Sequence, residues 1–211
     1  MTKKTNFFKE LIKILPKQIW QIPIGKMAGW VWGGVFIWGM FLFHAGFTEI
    51  SLLLAVILAF LLIWISIADI RWHIIPFPIT FLGTIGLGIA RWCTVSNVTG
   101  WQILFELGVI AGIGVLIFGI YFFLRGRRGW GWGDTFLLIM IGSGIGLLDT
   151  LIAFLWAIIV ASMWGVGLLL KQQKHLKSPI SMAPFITIGV FITQIWGARI
   201  LSLCTQYIVI F

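Results

Sequence analysis

Residues 50–69 read ISLLLAVILAFLLIWISIAD, nineteen uncharged and mostly apolar residues that end on an aspartate. About 20 such residues in a helix cross the hydrocarbon core of a bilayer. Lipid offers no partner to an open backbone, so a run of this length is read as a transmembrane helix. Similar runs recur along the chain. Hydropathy predicts helices at about 27–47, 50–69, 74–92, 103–124, 134–149, 150–170 and 182–210. The fold class is therefore all-α, a polytopic bundle of about seven membrane-spanning helices, with residues 27–211 forming one transmembrane domain. Composition excludes a soluble protein: 60% of the 211 residues are hydrophobic and 10% charged, against about 25% charged in soluble domains. Many of the 13 tryptophans lie near run ends, where an amphipathic ring suits the headgroup layer.

The first 26 residues carry six lysines and one acid, Glu10. Phe7, Phe8, Leu11, Ile12, Ile14 and Leu15 recur beside them at roughly helical spacing. Residues 1–26 thus read as a basic amphipathic arm on the anionic cytoplasmic leaflet, or as a stretch that only sets orientation. No apolar core with a small-residue cleavage site follows, so this is not a cleavable signal peptide. With the N-terminus inside, Arg71, Arg125, Arg127, Arg128, Lys171, Lys174 and Lys177 join the six lysines on the cytoplasmic side, and Arg91 and Arg199 fall on the other. That asymmetry obeys the positive-inside rule and supports the helix count. The expected location is the cytoplasmic (inner) membrane, with the N-terminus on the cytoplasmic side. The net charge of +9 implies no nucleic acid, because no folded basic module is present to bind it.

Of the six acidic residues, Glu49, Glu106 and Asp149 fall toward the outer side, whereas Asp69 and Asp134 fall at the cytoplasmic edge. Asp69 ends the second helix and Asp134 begins the fifth. Those helices run in opposite directions across the bilayer, so the two acids share one depth. Carboxylates beside hydrocarbon are costly and are functional candidates. Two close aspartates do not both ionise, and hold one proton between them. The ionised member takes a proton from water, the protonated member polarises a peptide carbonyl, and the pair then protonates the leaving amine. Each acid also has a purely structural reading. Asp134 suits a helix N-cap, and Asp69 suits an ion pair with Arg71 or with the headgroup-facing basic residues.

Cys93 and Cys204 form no CxxC pair and suggest neither metal nor disulfide. His44, His73 and His175 are scattered and receive no role. Ser66, Ser143 and Ser162 lack an adjacent base, which argues against a serine nucleophile. Gly129, Gly131 and Gly133 alternate with Trp130 and Trp132, either to let a substrate strand approach or to make a flexible re-entry. Pro76 marks a helix start. Pro184 suggests a kink near the site, with carbonyls freed for an extended peptide. Gly108 with Gly112, Gly142 with Gly146, and Ala161 with Gly165 have the spacing of close helix packing.

The segment Asp69-Ile70-Arg71-Trp72-His73-Ile74-Ile75-Pro76 resembles the first catalytic motif of type IV prepilin peptidases. Gly131-Trp132-Gly133-Asp134 resembles their second, the GxGD motif of intramembrane aspartyl proteases. Leu137-Leu138 with Gly142 and Gly146 is similar to the helix that follows GxGD, and Ile180-Ser181-Met182-Ala183-Pro184-Phe185 to a late Pro-Phe stretch. The resemblance covers about residues 50–205, in order. It implies Asp69 and Asp134 as the catalytic pair, with Gly131, Gly133, Pro76 and Pro184 near the substrate. It implies removal of the basic leader from prepilin or pseudopilin-like precursors of a pilus or secretion assembly.

Two residues depart from the family pattern: Phe136 stands where Lys is usual and Phe77 where Asn is usual. They leave altered specificity, a divergent branch or lost activity open. The loop with paired CxxC motifs, carried by members that also methylate the new N-terminus, has no counterpart here. The expectation is a peptidase without methyltransferase activity, needing neither zinc nor S-adenosylmethionine. A proton-coupled transporter is the reading from another class, but it expects mid-membrane charges and repeated halves. A catalytically inactive scaffold is the third.

Overall fold

The computed structural model describes residues 24–44, 49–125, 131–170 and 181–209. The arm expected over 1–26 lies almost wholly outside them, as do Lys171, Lys174, Lys177, Arg127 and Arg128. Seven helices and no strand occur among the described residues: α1 Ile24–His44, α2 Glu49–Trp72, α3 Phe77–Thr94, α4 Gly100–Arg125, α5 Trp132–Ile145, α6 Leu147–Leu170 and α7 Ala183–Val209. Ser51–Trp72, Gly100–Phe123 and Leu147–Leu168 are each long and apolar enough to cross a membrane, while Val31–His44, Trp132–Ile145 and Ala183–Gly197 are shorter apolar stretches. The outer surface is apolar. Phe36, Leu53, Leu82, Leu104, Leu116 and Met163 all point out of the bundle, as lipid requires and water does not tolerate. The chain is a multi-pass membrane protein.

Helix α2 supplies a continuous buried stripe: Ala55, Leu58, Ala59, Leu62, Ile65, Ser66 and Asp69. These positions advance by three or four residues and so share one helix face. Asp69 is buried because it continues this stripe. On α4 the inward face is Ile103, Ile110 and Gly114, with Ile117 packed against the core.

Helix α5 has 14 residues, about 21 Å at 1.5 Å per residue, short of the roughly 30 Å core of a bilayer. It is sheltered by the bundle rather than bathed in lipid: Thr135, Leu137, Leu138, Met140, Ile141, Gly142 and Ser143 are all buried. Helices α3 and α5 run parallel. Phe77 meets Phe136, Gly83 faces Met140, Gly88 faces Ser143, and Arg91 reaches Gly146.

Two helix boundaries differ from the hydropathy reading for physical reasons. The fifth and sixth helices meet at Gly146, not near residue 149, because Gly146 adopts φ +92°, which breaks the helix and which glycine takes without steric cost. A single-residue break is invisible in an apolar run, and Asp149 lies in the first turn of α6. The third helix starts at Phe77 rather than 74, because Pro76 holds the extended N-cap position and proline disfavours helical backbone in the residue before it.

The small-residue pairs are partly corrected. A methyl group on Gly108, Gly112 or Gly165 would meet nothing within 4 Å, whereas one on Gly142 would run into Ile110 and one on Gly189 into the Ala153 carbonyl. Close packing thus falls on Gly142 and on α6–α7, because residue spacing fixes a face but not which face turns inward.

Candidate active site

Asp69 lies in the last turn of α2 and Asp134 in the first turn of α5. The segment that follows Asp69 packs on the residue before Asp134, through Ile75 against Gly133. Each carboxyl is held by a backbone amide. Ala183 N–H donates to Oδ2 of Asp69 at 3.1 Å. Gly131 N–H donates to Oδ2 of Asp134 at 3.0 Å. The Gly131 carbonyl in turn accepts the Asp134 N–H at 3.2 Å. Gly131 is the N-cap, and Asp134 is the third helical residue reaching back to it. The capping reading therefore holds for one oxygen of Asp134, from a position three residues later than expected. Arg71 is exposed, and it is Ala183 that engages the Asp69 carboxyl. These bonds use one oxygen of each acid. The second oxygen, Oδ1, is the one with which a shared proton and a water can be handled.

The surrounding residues bring the two acids together. A methyl on Gly133 would lie 2.9 Å from Cβ of Ile75, so only glycine lets the start of α5 approach the segment after Asp69; a methyl on Gly131 would meet Oδ2 of Asp134 at 3.5 Å. Pro76 caps α3, its carbonyl accepting from Ile79 and Thr80. Pro184 is the second residue of α7, where a proline ring removes no helical hydrogen bond. The expected kink and freed carbonyls are therefore absent there, and the neighbouring Ala183 amide is what reaches the site. Phe77 and Phe136, the two departures from the family pattern, touch edge-to-face at 4.7 Å between ring centres.

Sequence reasoning missed a polar ladder between α2 and the start of α7. The Ser66 and Thr187 hydroxyls are 2.6 Å apart. Ser181 Oγ donates to the Asp69 carbonyl at 3.1 Å and lies 2.9 Å from Nδ1 of His73. The available signal was Ser66 standing three residues before Asp69, on the same helix face. At the opposite end, Arg91 pairs with Glu106 at 2.6 Å. Gln102 supports Glu106 at 3.2 Å. Among the described residues, no three His, Cys, Asp or Glu side chains converge as metal ligands.

Residues 56–166 match the type IV leader peptidase family. Three curated relatives share the description prepilin leader peptidase/N-methyltransferase. That of Aeromonas salmonicida (strain A449) is 32% identical over 96 residues, covering 44% of this chain and 33% of the relative. That of Bacillus subtilis (strain 168) is 25% identical over 154 residues, covering 73% and 60%. That of Pseudomonas aeruginosa is 23% identical over 190 residues, covering 88% and 61%. The chain thus spans between a third and three fifths of the length of these relatives. No solved structure matches it.

Proposed function

The chain belongs to the type IV leader peptidase family, and from that premise we propose that it is an intramembrane aspartyl endopeptidase. Asp69 and Asp134 are its catalytic pair, and it removes the basic leader from prepilin or pseudopilin-like precursors. The observation that carries this reading is that two acids from separate helices lie at one end of the bundle, each with one oxygen engaged by a backbone amide. Neither carboxyl is spent on an ion pair with a cation among the described residues, so both can serve chemistry.

The reaction follows from one proton shared by two carboxyls. The ionised acid accepts a proton from water as the water oxygen bonds to the scissile carbonyl carbon. The protonated acid donates to the carbonyl oxygen. As the tetrahedral intermediate collapses, the C–N bond breaks and the nitrogen leaves with a proton from the pair. A hydroxyl of the intermediate returns its proton to the pair, so the products are a carboxylic acid and an amine, and the acids again share one proton. Glycine at 131 leaves room for a substrate strand beside Asp134, and Pro76 and Pro184 flank the same region.

The charge asymmetry, 13 of 15 Lys and Arg on one side, supports a cytoplasmic N-terminus and cleavage at the cytoplasmic face of the inner membrane. Peptidase activity without methyl transfer is part of the same reading. The test is co-expression with precursors that carry a short basic leader and an apolar helix. The parent chain should remove the leader, and Asp69→Asn and Asp134→Asn should each leave it in place. Leader removal that survives both substitutions ends the proposal.

A further inference from the structure

Between the last residue of α2 and the first of α3 the chain makes a turn that nothing in the leader peptidase reading explains. His73 there has φ +52°, the left-handed region, and it is the one non-glycine residue with positive φ among those described. Its N–H bonds the Asp69 carbonyl at 2.8 Å, the bond of a left-handed helix cap. Glycine is the residue that occupies such a position without strain. A histidine held there points to a use for the imidazole.

The side chain answers this. His73 Nδ1 is 2.9 Å from Ser181 Oγ, and Ser181 Oγ is 3.1 Å from the Asp69 carbonyl oxygen. A hydroxyl has one proton and a carbonyl oxygen only accepts. The Ser181 proton therefore goes to Asp69, and Nδ1–H of His73 donates to Ser181. This fixes the proton of neutral His73 on Nδ1 and leaves the lone pair on Nε2. It also rules out Ser181 as a nucleophile activated by His73, since its proton faces the wrong partner. Two residues beyond Ser181, the Ala183 amide holds Oδ2 of Asp69. The histidine, the serine and the amide thus clamp both ends of one residue, Asp69, to the entry of α7.

Resting on the peptidase reading, we propose that His73 and Ser181 are positioning residues. Their hydrogen bond fixes the entry of α7 against the end of α2, so that the Ala183 amide sets the carboxyl of Asp69 in register with Asp134. Neither residue touches the reacting atoms. Both act through the placement of Asp69.

The experiment uses the full chain in detergent and a synthetic peptide, a Lys-rich leader joined to an apolar helix of about 20 residues. His73→Gly should lower kcat by about 10-fold to 100-fold with KM little changed, while thermal stability holds or rises because glycine relieves the left-handed strain. His73→Asn should restore most of the loss, since asparagine tolerates this backbone and its amide N–H replaces Nδ1–H. Ser181→Ala should match His73→Gly, and Ser181→Thr should recover. A role in capping alone predicts the reverse, so full turnover by His73→Gly overturns the proposal. Nitrogen-15 spectra of His73, identified by its loss in His73→Asn, give a second readout independent of cleavage. Nδ1 should be protonated in the parent, and Ser181→Ala should disturb it. An unprotonated Nδ1 in the parent overturns the proposal. A parent that binds Nδ1–H as expected yet never cleaves the peptide overturns the peptidase reading instead.

Discussion

The two ends of the α3–α5 pair treat their charges in opposite ways. At one end Glu106 is matched by a cation, with Arg91 at 2.6 Å and Gln102 at 3.2 Å. The same guanidinium lies against Gly146, where α5 stops and α6 begins. At the other end Asp69 and Asp134 each take a backbone amide on Oδ2 and no cation among the described residues. An acid that serves structure near lipid is neutralised by a counter-ion. An acid that serves proton transfer keeps an oxygen free and sits beside a second acid. The comparison separates two uses of carboxylates that look alike in sequence, and it makes different demands of the two ends under mutation.

The largest expected effect is at the aspartate end and concerns rate. Asp69→Asn or Asp134→Asn should lower leader removal by about 1,000-fold, measured by gel shift of a precursor, with thermal unfolding in detergent little changed. The asparagine carbonyl oxygen still accepts the Gly131 or Ala183 amide, so the fold keeps its bond while the proton is lost. An Asp134→Asn protein that unfolds would make this acid a structural one, and the contrast between the ends would collapse. At the arginine end the effect should appear in stability. Arg91→Met leaves Glu106 without its partner and should cost about 3 kcal/mol. Arg91→Met with Glu106→Leu should recover most of that, because removing both charges leaves no uncompensated ion. Turnover by the folded fraction should stay near the parent value.

The same contrast explains what was legible in the sequence. Lipid demands long apolar runs, so the helices could be read from hydropathy. The antiparallel direction of α2 and α5 then put Asp69 and Asp134 at one depth. Their placement at one end of the bundle had no signal beyond that and the family resemblance. The facing of each helix was hidden, because a helix like α2 is apolar all round and gives no polar side from which to infer the buried one. His73 and Ser181 are 108 residues apart, and each alone looks like a loop residue at the membrane edge. Arg91 and Glu106 were assigned to one side but not paired. Their positions on either side of the short 95–99 turn were the clue.

Smaller effects sharpen the comparison through the glycines. Gly133→Ala puts a methyl 2.9 Å from Cβ of Ile75 and should cost about 1–2 kcal/mol. It should also lower turnover, because α5 must shift away from the segment that carries Asp69. Gly131→Ala meets only Oδ2 of Asp134 at 3.5 Å and Gly133 N at 3.9 Å. It should spare stability, and any loss should appear in KM as the added methyl crowds the substrate. Smallest of all should be Gly108→Ala and Gly112→Ala. Their spacing suggests a packing seam, but a methyl on either meets nothing within 4 Å. The packed positions of the same helix are Ile110, against Gly142, and Gly114, against Thr135. Gly108 and Gly112 therefore face outward, and alanine there should change stability by no more than about 0.5 kcal/mol. A double Gly108→Ala, Gly112→Ala protein that unfolds well below the parent would mean that a second chain packs on this face of α4, and that the outward side of the bundle is not all lipid.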